Sequence, residues 1–234
     1  MRYDAVIFDL FGTLTPTVTP TDYDAMLQEL AAALGAPANA FRGRWRASMQ
    51  QRESGGLGNM EGVLRAMGGA AGTEPSESAL SRARRRWLER TRRWLVPRSV
   101  AVATLHTLGK AGYPVGLISN CSAEVPVLWP ENELRRVIDS AVFSCEMWFM
   151  KPEPAIYRHV CRLLGVRPER CLFVGDGGAR ELTGAQAVGM DATLLRVSGE
   201  EHTWFDSNYR LDALEWTGAT ITALDQVLRL VEVG

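Results

Sequence analysis

The chain has 234 residues, 46% hydrophobic and 23% charged, the makeup of an ordinary globular protein with room for one generous core and an insertion. Its net charge of −1 provides no global field for nucleic acid or an anionic membrane, and no run reaches the roughly 18 to 20 apolar residues of a membrane helix. Met1-Arg2 leads straight into an apolar stretch instead of a signal peptide, and the four cysteines form no CxxC pair, so packed, reduced thiols in a cytoplasmic protein are expected.

The first strand is expected in "DAVIFDL", an apolar run that delivers Asp9 to a loop containing Phe11, Gly12 and Thr13. Residues 16–97 then read as helices: "TDYDAMLQELAAALG", "NAFRGRWRASMQQRE", "NMEGVLRAMGG" and "SESALSRARRRWLERTRRWL". Thr21-Asp22 and Ser76 through Ser78 are the expected N-caps, Glu77 suits a first turn, and "ESGGLGN" is the expected flexible loop. In the last of these helices Leu80, Ala83, Trp87, Trp94 and Leu95 form an apolar stripe, which leaves the arginines between Arg82 and Arg93 for solvent and not for nucleic acid.

Beyond residue 97 strand-length runs recur at "YPVGLISN", "SAVFSCE", "CLFVGD", "DATLLRV" and "GATI". Between or after them lie the helical patterns "SVAVATLHTLGKAG", "ENELRRVIDS", "PAIYRHVCRLLGV", "ARELTGAQAVGM" and "ALDQVLRLVEV". Nearly continuous apolar strands alternating with helices imply an α/β protein whose parallel sheet is covered on both faces. The organisation expected is a core of residues 1–15 and 98–234 with a helical cap, residues 16–97, inserted after the first strand.

Sites in such sheets lie at the carboxyl ends of the strands, where Asp9, Ser119-Asn120 and Gly175-Asp176 all fall. Together with Lys151 before Pro152, and Glu181 after Asp176, these residue types suit attack on a phosphoester. A carboxylate can attack phosphorus when the phosphoryl charge is neutralised by a cation, a lysine and hydroxyl donors. A hard ion such as Mg²⁺ prefers oxygen, which makes Asp9 and Asp176 candidate ligands, with Glu181 reaching the ion directly or through water. His106, His159 and His202 are scattered and suggest no histidine metal site.

Four segments in this order resemble the motifs of the haloacid dehalogenase (HAD) superfamily: "VIFDLFGTL", "LISN", "MKPEPAIY" and "FVGDGGARE". The resemblance covers nearly the whole chain and implies a doubly wound, Rossmann-like sheet with a helical cap of the C1 type. It also implies Asp9 as nucleophile, Thr13 as its positioning partner, Ser119 and Lys151 as phosphate binders, and Asp176 with Glu181 at a Mg²⁺ site completed by the backbone carbonyl of Phe11.

Phe11 departs from the phosphatases of that superfamily, which usually carry there a second Asp that protonates the leaving oxygen. That step is commonly worth about 10² to 10⁴ in rate. An aromatic residue is instead what the 2-haloacid dehalogenase branch has at this place, and Ser119-Asn120 resembles that branch too. Those enzymes work without a metal and replace the acid of the fourth motif. Here Asp176 is present, and an acid beside Asp9 is costly without a cation. The resemblance therefore implies a Mg²⁺-dependent phosphatase acting on a small phosphorylated metabolite, with a haloacid dehalogenase or a catalytically weak phosphate binder as alternatives. A third branch uses a cap lysine as a Schiff base; the only lysines are Lys110 and Lys151, so that route is closed.

Substrate choice falls to the cap. Arg42, Arg44, Arg46 and Arg52 surround Trp45, and Arg42 and Arg52 are the expected binders of an anionic substrate end, beside Asn120 and Phe11. Trp129 and Trp148 flank the second and third motifs, where a tryptophan lines the cleft or, more often, simply packs, and the run Met147-Trp148-Phe149 suggests an apolar wall near Lys151. The partner is a small molecule, and the protein is expected to be a monomer or homodimer.

Overall fold

The computed structural model describes residues 2–200 and 211–232. In chain order the elements are β1 (Ala5–Phe8), α1 (Pro20–Leu34), α2 (Ala38–Ala47), α3 (Met49–Glu53), α4 (Met60–Ala70), α5 (Glu77–Trp94), α6 (Ala101–Lys110), β2 (Val115–Ser119), α7 (Glu124–Leu128), β3 (Ser140–Phe143), α8 (Pro154–Leu164), β4 (Cys171–Gly175), α9 (Glu181–Ala187), β5 (Asp191–Leu195), α10 (Leu211–Glu215), β6 (Ala219–Ile221) and α11 (Val227–Leu230). The six strands form one parallel sheet in the order β3-β2-β1-β4-β5-β6. This is the doubly wound Rossmann-like order, in which a ligand binds beyond the carboxyl ends near the point where strand order reverses.

Both faces of the sheet are buried, which explains why its strands lack a polar alternation. Val6 and Phe8 point into one core with Leu105 of α6, Leu117, Val125 of α7 and Val227 of α11. Ala5 and Ile7 point into the other with Ile118, Phe173, Ile156 and Tyr157 of α8, and Leu182 of α9. Each large apolar side chain so enclosed contributes about 1.5–3 kcal/mol. Register then sets the rim: Phe8 pairs with Leu117 on one side and Val174 on the other, so Asp9, Ser119 and Asp176 leave neighbouring strands close together.

The helices between Pro20 and Trp94 enclose a separate core of Met26, Leu30, Phe41, Trp45, Leu64 and Trp87, with Trp45 and Trp87 edge to face at 5.1 Å. The stripe expected on α5 is seen: Leu80, Ala83 and Trp87 are buried, and Arg85, Arg86 and Arg92 make exposed ion pairs with Glu89 and Glu131. Ser76 caps α5 by accepting from the Ala79 N–H.

Several local expectations are corrected. The cap of α1 is Thr19, not Thr21-Asp22: Pro20 fits the first helical position, its missing N–H being one the helix would leave unused, and Thr19 accepts from the Asp22 N–H. The helix expected over residues 39–53 breaks at Ser48, whose hydroxyl donates to the Trp45 carbonyl and accepts from Arg52. "ENELRRVIDS" forms short 3₁₀ turns, because Asn132 is extended and restarts the chain with its side chain on the Leu134 N–H. Left-handed Ala179 and Arg180 delay the next helix to Glu181. The final pattern becomes a 3₁₀ turn and α11, and its last residue, Val233, lies outside the described residues. Among the described residues no helix is long and apolar enough to cross a membrane.

Candidate active site

Asp9, Thr13, Ser119, Lys151, Asp176 and Glu181 are all buried at the strand ends. Lys151 Nζ donates to Asp9 Oδ1 and to Glu181 Oε2, both at 2.5 Å, with only 3% of its side chain exposed. Burial opposes its charge, but Asp9 and Glu181 outweigh burial and hold its pKa above the ordinary lysine value. Glu181 is pushed well above the usual carboxylate range by burial, then by Asp9, while Lys151 pulls against them.

One oxygen from each of Asp9, Asp176 and Glu181 lies within 4.8 Å of the others. Three acids therefore meet at one point, and Lys151 bonds two of them. Asp9 Oδ2 is closed to solvent and has no partner among the described residues, and the same holds for Thr13 Oγ1 and Ser119 Oγ. An oxygen-only donor set with an orphaned carboxylate oxygen fits a hard divalent cation. Glu181 has less freedom than the other two, since Oε1 accepts from the Gly177 N–H while Oε2 takes Lys151.

Two glycines make room for these acids. A Cβ on Gly12, whose φ is +84°, would run into Asp176 Oδ2, and one on Gly175 would run into Glu181 Oε1. Arg98, not anticipated from sequence, braces the first loop: it donates to the carbonyls of Gly12 and Thr13 at 2.9 and 2.8 Å and pairs with Glu200. Asn120 lines the site, yet its amide accepts from the Lys151 N–H and donates to the Lys151 carbonyl, before the cis Lys151–Pro152 bond. It positions the lysine loop.

A cavity joins these residues to the helices above. From the sheet it is lined by Asp9, Phe11, Lys151, Asp176 and Glu181, and from the helices by Tyr23, Met26, Trp45, Met49, Trp87 and Trp94. Arg52 belongs to it: 4% exposed, it stacks 4.3 Å over the Trp45 ring and donates to Ser48, Ser122 and the Trp45 carbonyl. Arg42 does not line it; this side chain and Arg46 turn to Asp24. Trp129 packs on Phe143 and Trp148 is 76% exposed, so neither lines the cleft, and Met147 and Phe149 pack against the core under β3 instead of forming the wall expected there. His106 and His159 lie outside the cavity, and His202 lies outside the described residues. Glu53 and Glu124, unremarked in the sequence, line the cavity as well. Their signals were faint: Glu53 follows Arg52 at the glycine-rich loop, and Glu124 comes four residues after the strand-end Asn120.

Known proteins place the chain. The model of the haloacid dehalogenase-like hydrolases matches residues 3–189. The chain is 34% identical over 100 residues, 42% of its length, to (S)-2-haloacid dehalogenase 4A of Burkholderia cepacia. It is 30% identical over 135 residues, 56% of its length, to glyceraldehyde 3-phosphate phosphatase of Methanothermobacter thermautotrophicus. It spans 43% and 55% of the lengths of those two relatives. A HAD family enzyme of Bacteroides thetaiotaomicron, solved with magnesium and inorganic phosphate, shares the fold with a TM-score of 0.64 at 17% identity, over 87% of this chain and 98% of that one. Family match, fold and strand-end acids agree, and the chain belongs to the haloacid dehalogenase-like hydrolases.

Proposed function

We propose that this protein is a Mg²⁺-dependent phosphatase acting on a small phosphorylated metabolite, with residues 16–97 serving as a lid over a core of residues 1–15 and 98–234. The observation that carries this reading is that Asp9, Asp176 and Glu181 each bring a carboxylate oxygen within 4.8 Å of the others, while Asp9 Oδ2 has no partner among the described residues. A divalent ion held by Asp9, Asp176 and the Phe11 backbone carbonyl would suit that oxygen-only cluster, with Glu181 reaching it directly or through water. When bound, the ion neutralises charge on the phosphoryl oxygens.

Asp9 attacks phosphorus; the bond to the ester oxygen breaks, and its electron pair leaves with the alcohol. Lys151, Ser119 and Thr13 supply donors to the phosphoryl oxygens, which explains why both hydroxyls are kept without an internal partner. Water then attacks the aspartyl-phosphate, releasing phosphate and the Asp9 carboxylate. Phe11 cannot protonate the leaving oxygen, so this site favours good leaving groups or substrates that bring their own proton. Phosphate release that requires Mg²⁺ and disappears in Asp9→Asn is the expected result; release unchanged in that variant refutes the reading.

A second reading rests on Phe11 and on the similarity to a haloacid dehalogenase. There Asp9 displaces halide from carbon, and metal-independent chloride release from 2-chloropropionate is its signature. Ligand binding without turnover in either assay supports a weak phosphate binder.

A further inference from the structure

Six side-chain atoms are closed to solvent and lack a partner among the described residues, and five of them belong to cavity or motif residues. Three of the five, Asp9 Oδ2, Thr13 Oγ1 and Ser119 Oγ, are accounted for by an ion and a phosphoryl group. The other two, Glu53 Oε2 and Glu124 Oε2, are not. Buried polar atoms are almost always satisfied, and a carboxylate oxygen accepts and never donates unless protonated. Like the Asp9 oxygen, these two are sealed in this arrangement of the helices, so a ligand reaches them as it reaches the nucleophile.

The surroundings specify what is missing. Trp87 from α5 lies against the Glu124 carboxyl, whose Oε2 has no partner among the described residues. Arg52 is the positive group facing both acids, and it is already held by Ser48, Ser122 and the Trp45 carbonyl. Lys151 faces Glu53 as well, but is spent on Asp9 and Glu181. Among the described residues two carboxyls here face one guanidinium, and burial holds both above the usual carboxylate range, so that a further cation is what would let both ionise. The rings of Trp45, Trp87, Trp94, Tyr23 and Phe11 line the cavity, and an aromatic face attracts a cation.

We propose that the cap half of the cavity binds a protonated amine, so that the substrate class is a phosphomonoester carrying an ammonium group at its far end. This rests on the phosphatase reading for the phosphoryl half and on Glu53 and Glu124 for the rest. Burial holds the Glu124 carboxyl at a pKa of about 7, so amine binding expels its proton near neutrality and tightens as pH rises from 6 to 8. The groups facing it are Arg52 and Glu53 from α3, Trp87 from α5, Tyr23 from α1 and the buried thiol of Cys121 after β2. An anionic tail meets two acids and a guanidinium with little left to give.

The test is calorimetric titration of the Asp9→Asn protein, in Mg²⁺, with 2-aminoethyl phosphate, 2-hydroxyethyl phosphate, ethyl phosphate and phosphoglycolate. The amine is expected to bind at least about tenfold tighter than ethyl phosphate, the scale of one charge-assisted hydrogen bond, with phosphoglycolate weakest. In Glu124→Gln, and independently in Glu53→Gln should the first fold poorly, that tenfold ratio collapses toward one. Equal affinities, or phosphoglycolate binding tightest, overturn the inference, as does a preference that survives both substitutions. If the wild-type protein releases phosphate from none of the four while the order of affinities holds, the phosphatase reading falls and the amine site stands. No binding of any of the four overturns both.

Discussion

Replacing Lys151 by Met removes a cation from inside a buried cluster of acids, and the consequence can be worked out without assuming any reaction. The side chain is 3% exposed and bonded to Asp9 and Glu181 at 2.5 Å each. Methionine has nearly the same length, so packing changes little and the loss is electrostatic. Breaking a buried pair by deleting one partner costs about 3–5 kcal/mol, because the remaining charge stays desolvated. For a chain of this size, each kcal/mol lowers Tm by about 2–4 °C, so a drop of about 6–20 °C is expected near pH 8. The cost must shrink in acid. Glu181 already has a raised pKa in the folded state, and losing Lys151 raises it further. An acid with a raised folded pKa favours folding at low pH and loses that contribution as pH rises from the ordinary carboxylate value through the folded one. Lys151, with its own pKa held above the usual lysine value, stays charged throughout that range, so the pH dependence of the deficit reports the carboxylates. Thermal melts of both proteins at pH 5 and pH 8, without and with added Mg²⁺, measure it. A drop below about 2 °C at pH 8, or an equal drop at both pH values, refutes the argument. Recovery of part of the loss by Mg²⁺ is the further expectation.

Phe11→Asp restores a proton donor beside the leaving group and is expected to raise turnover of alkyl phosphates by up to about 10²–10⁴, with much less effect on aryl phosphates; equal effects on both count against the role assigned to this position. Gly175→Ala drives a methyl into Glu181 Oε1 and is expected to cost about 1–3 kcal/mol in a denaturant melt and to depress phosphate release. Glu124→Gln is expected to be more stable than wild type by up to about 3 kcal/mol at pH 8, because a carboxyl whose folded pKa is about 7 loses stability as pH rises from the ordinary carboxylate value through 7, and nearly indistinguishable at pH 4, where the acid is largely protonated in both states. Urea unfolding at the two pH values decides this; a stability difference independent of pH counts against burial as the cause.

The sheet was legible because its central strands are uninterrupted apolar runs, as burial on both faces requires, while β6, with Ala219 and Thr220 exposed, had the weakest pattern. All six runs became strands, and register brings Asp9 and Asp176 together from the ends of neighbouring strands, with Lys151 and Glu181 added from the segments that follow β3 and β4. What sequence could not convey was the fate of long polar side chains. Arg42, Arg46 and Arg52 look alike on paper, and an arginine is solvated by default. Arg52 is buried because Trp45, seven residues earlier, provides a ring to stack on, and because Ser122, seventy residues later, provides an acceptor. Arg42 and Arg46 instead found Asp24 on α1. Trp148 carried the opposite error: tryptophan argues for a packed wall, yet a left-handed backbone at φ +63° leaves it in solvent. The break at Ser48 was equally hidden, since serine inside a helical pattern turns it only when its hydroxyl finds the backbone, as it does here on Trp45.

Phe11 lines the cavity from the first loop, and charge explains why an apolar side chain is tolerable there. The strand ends already gather three carboxylates, two of them bonded to Lys151. A fourth at position 11 adds to that repulsion whenever no cation is bound, and the cost falls on the folded state, since the unfolded chain solvates each acid separately. Phe11 avoids the penalty and packs on the core beneath it, half-buried beside the cavity. Further acids appear on the far side, at Glu53 and Glu124, which both face Arg52. In the proposed reaction the first loop then offers no proton to the leaving oxygen, and an ammonium held by those two acids is too committed to supply it, so the alcohol departs as a stabilised anion or takes its proton from water.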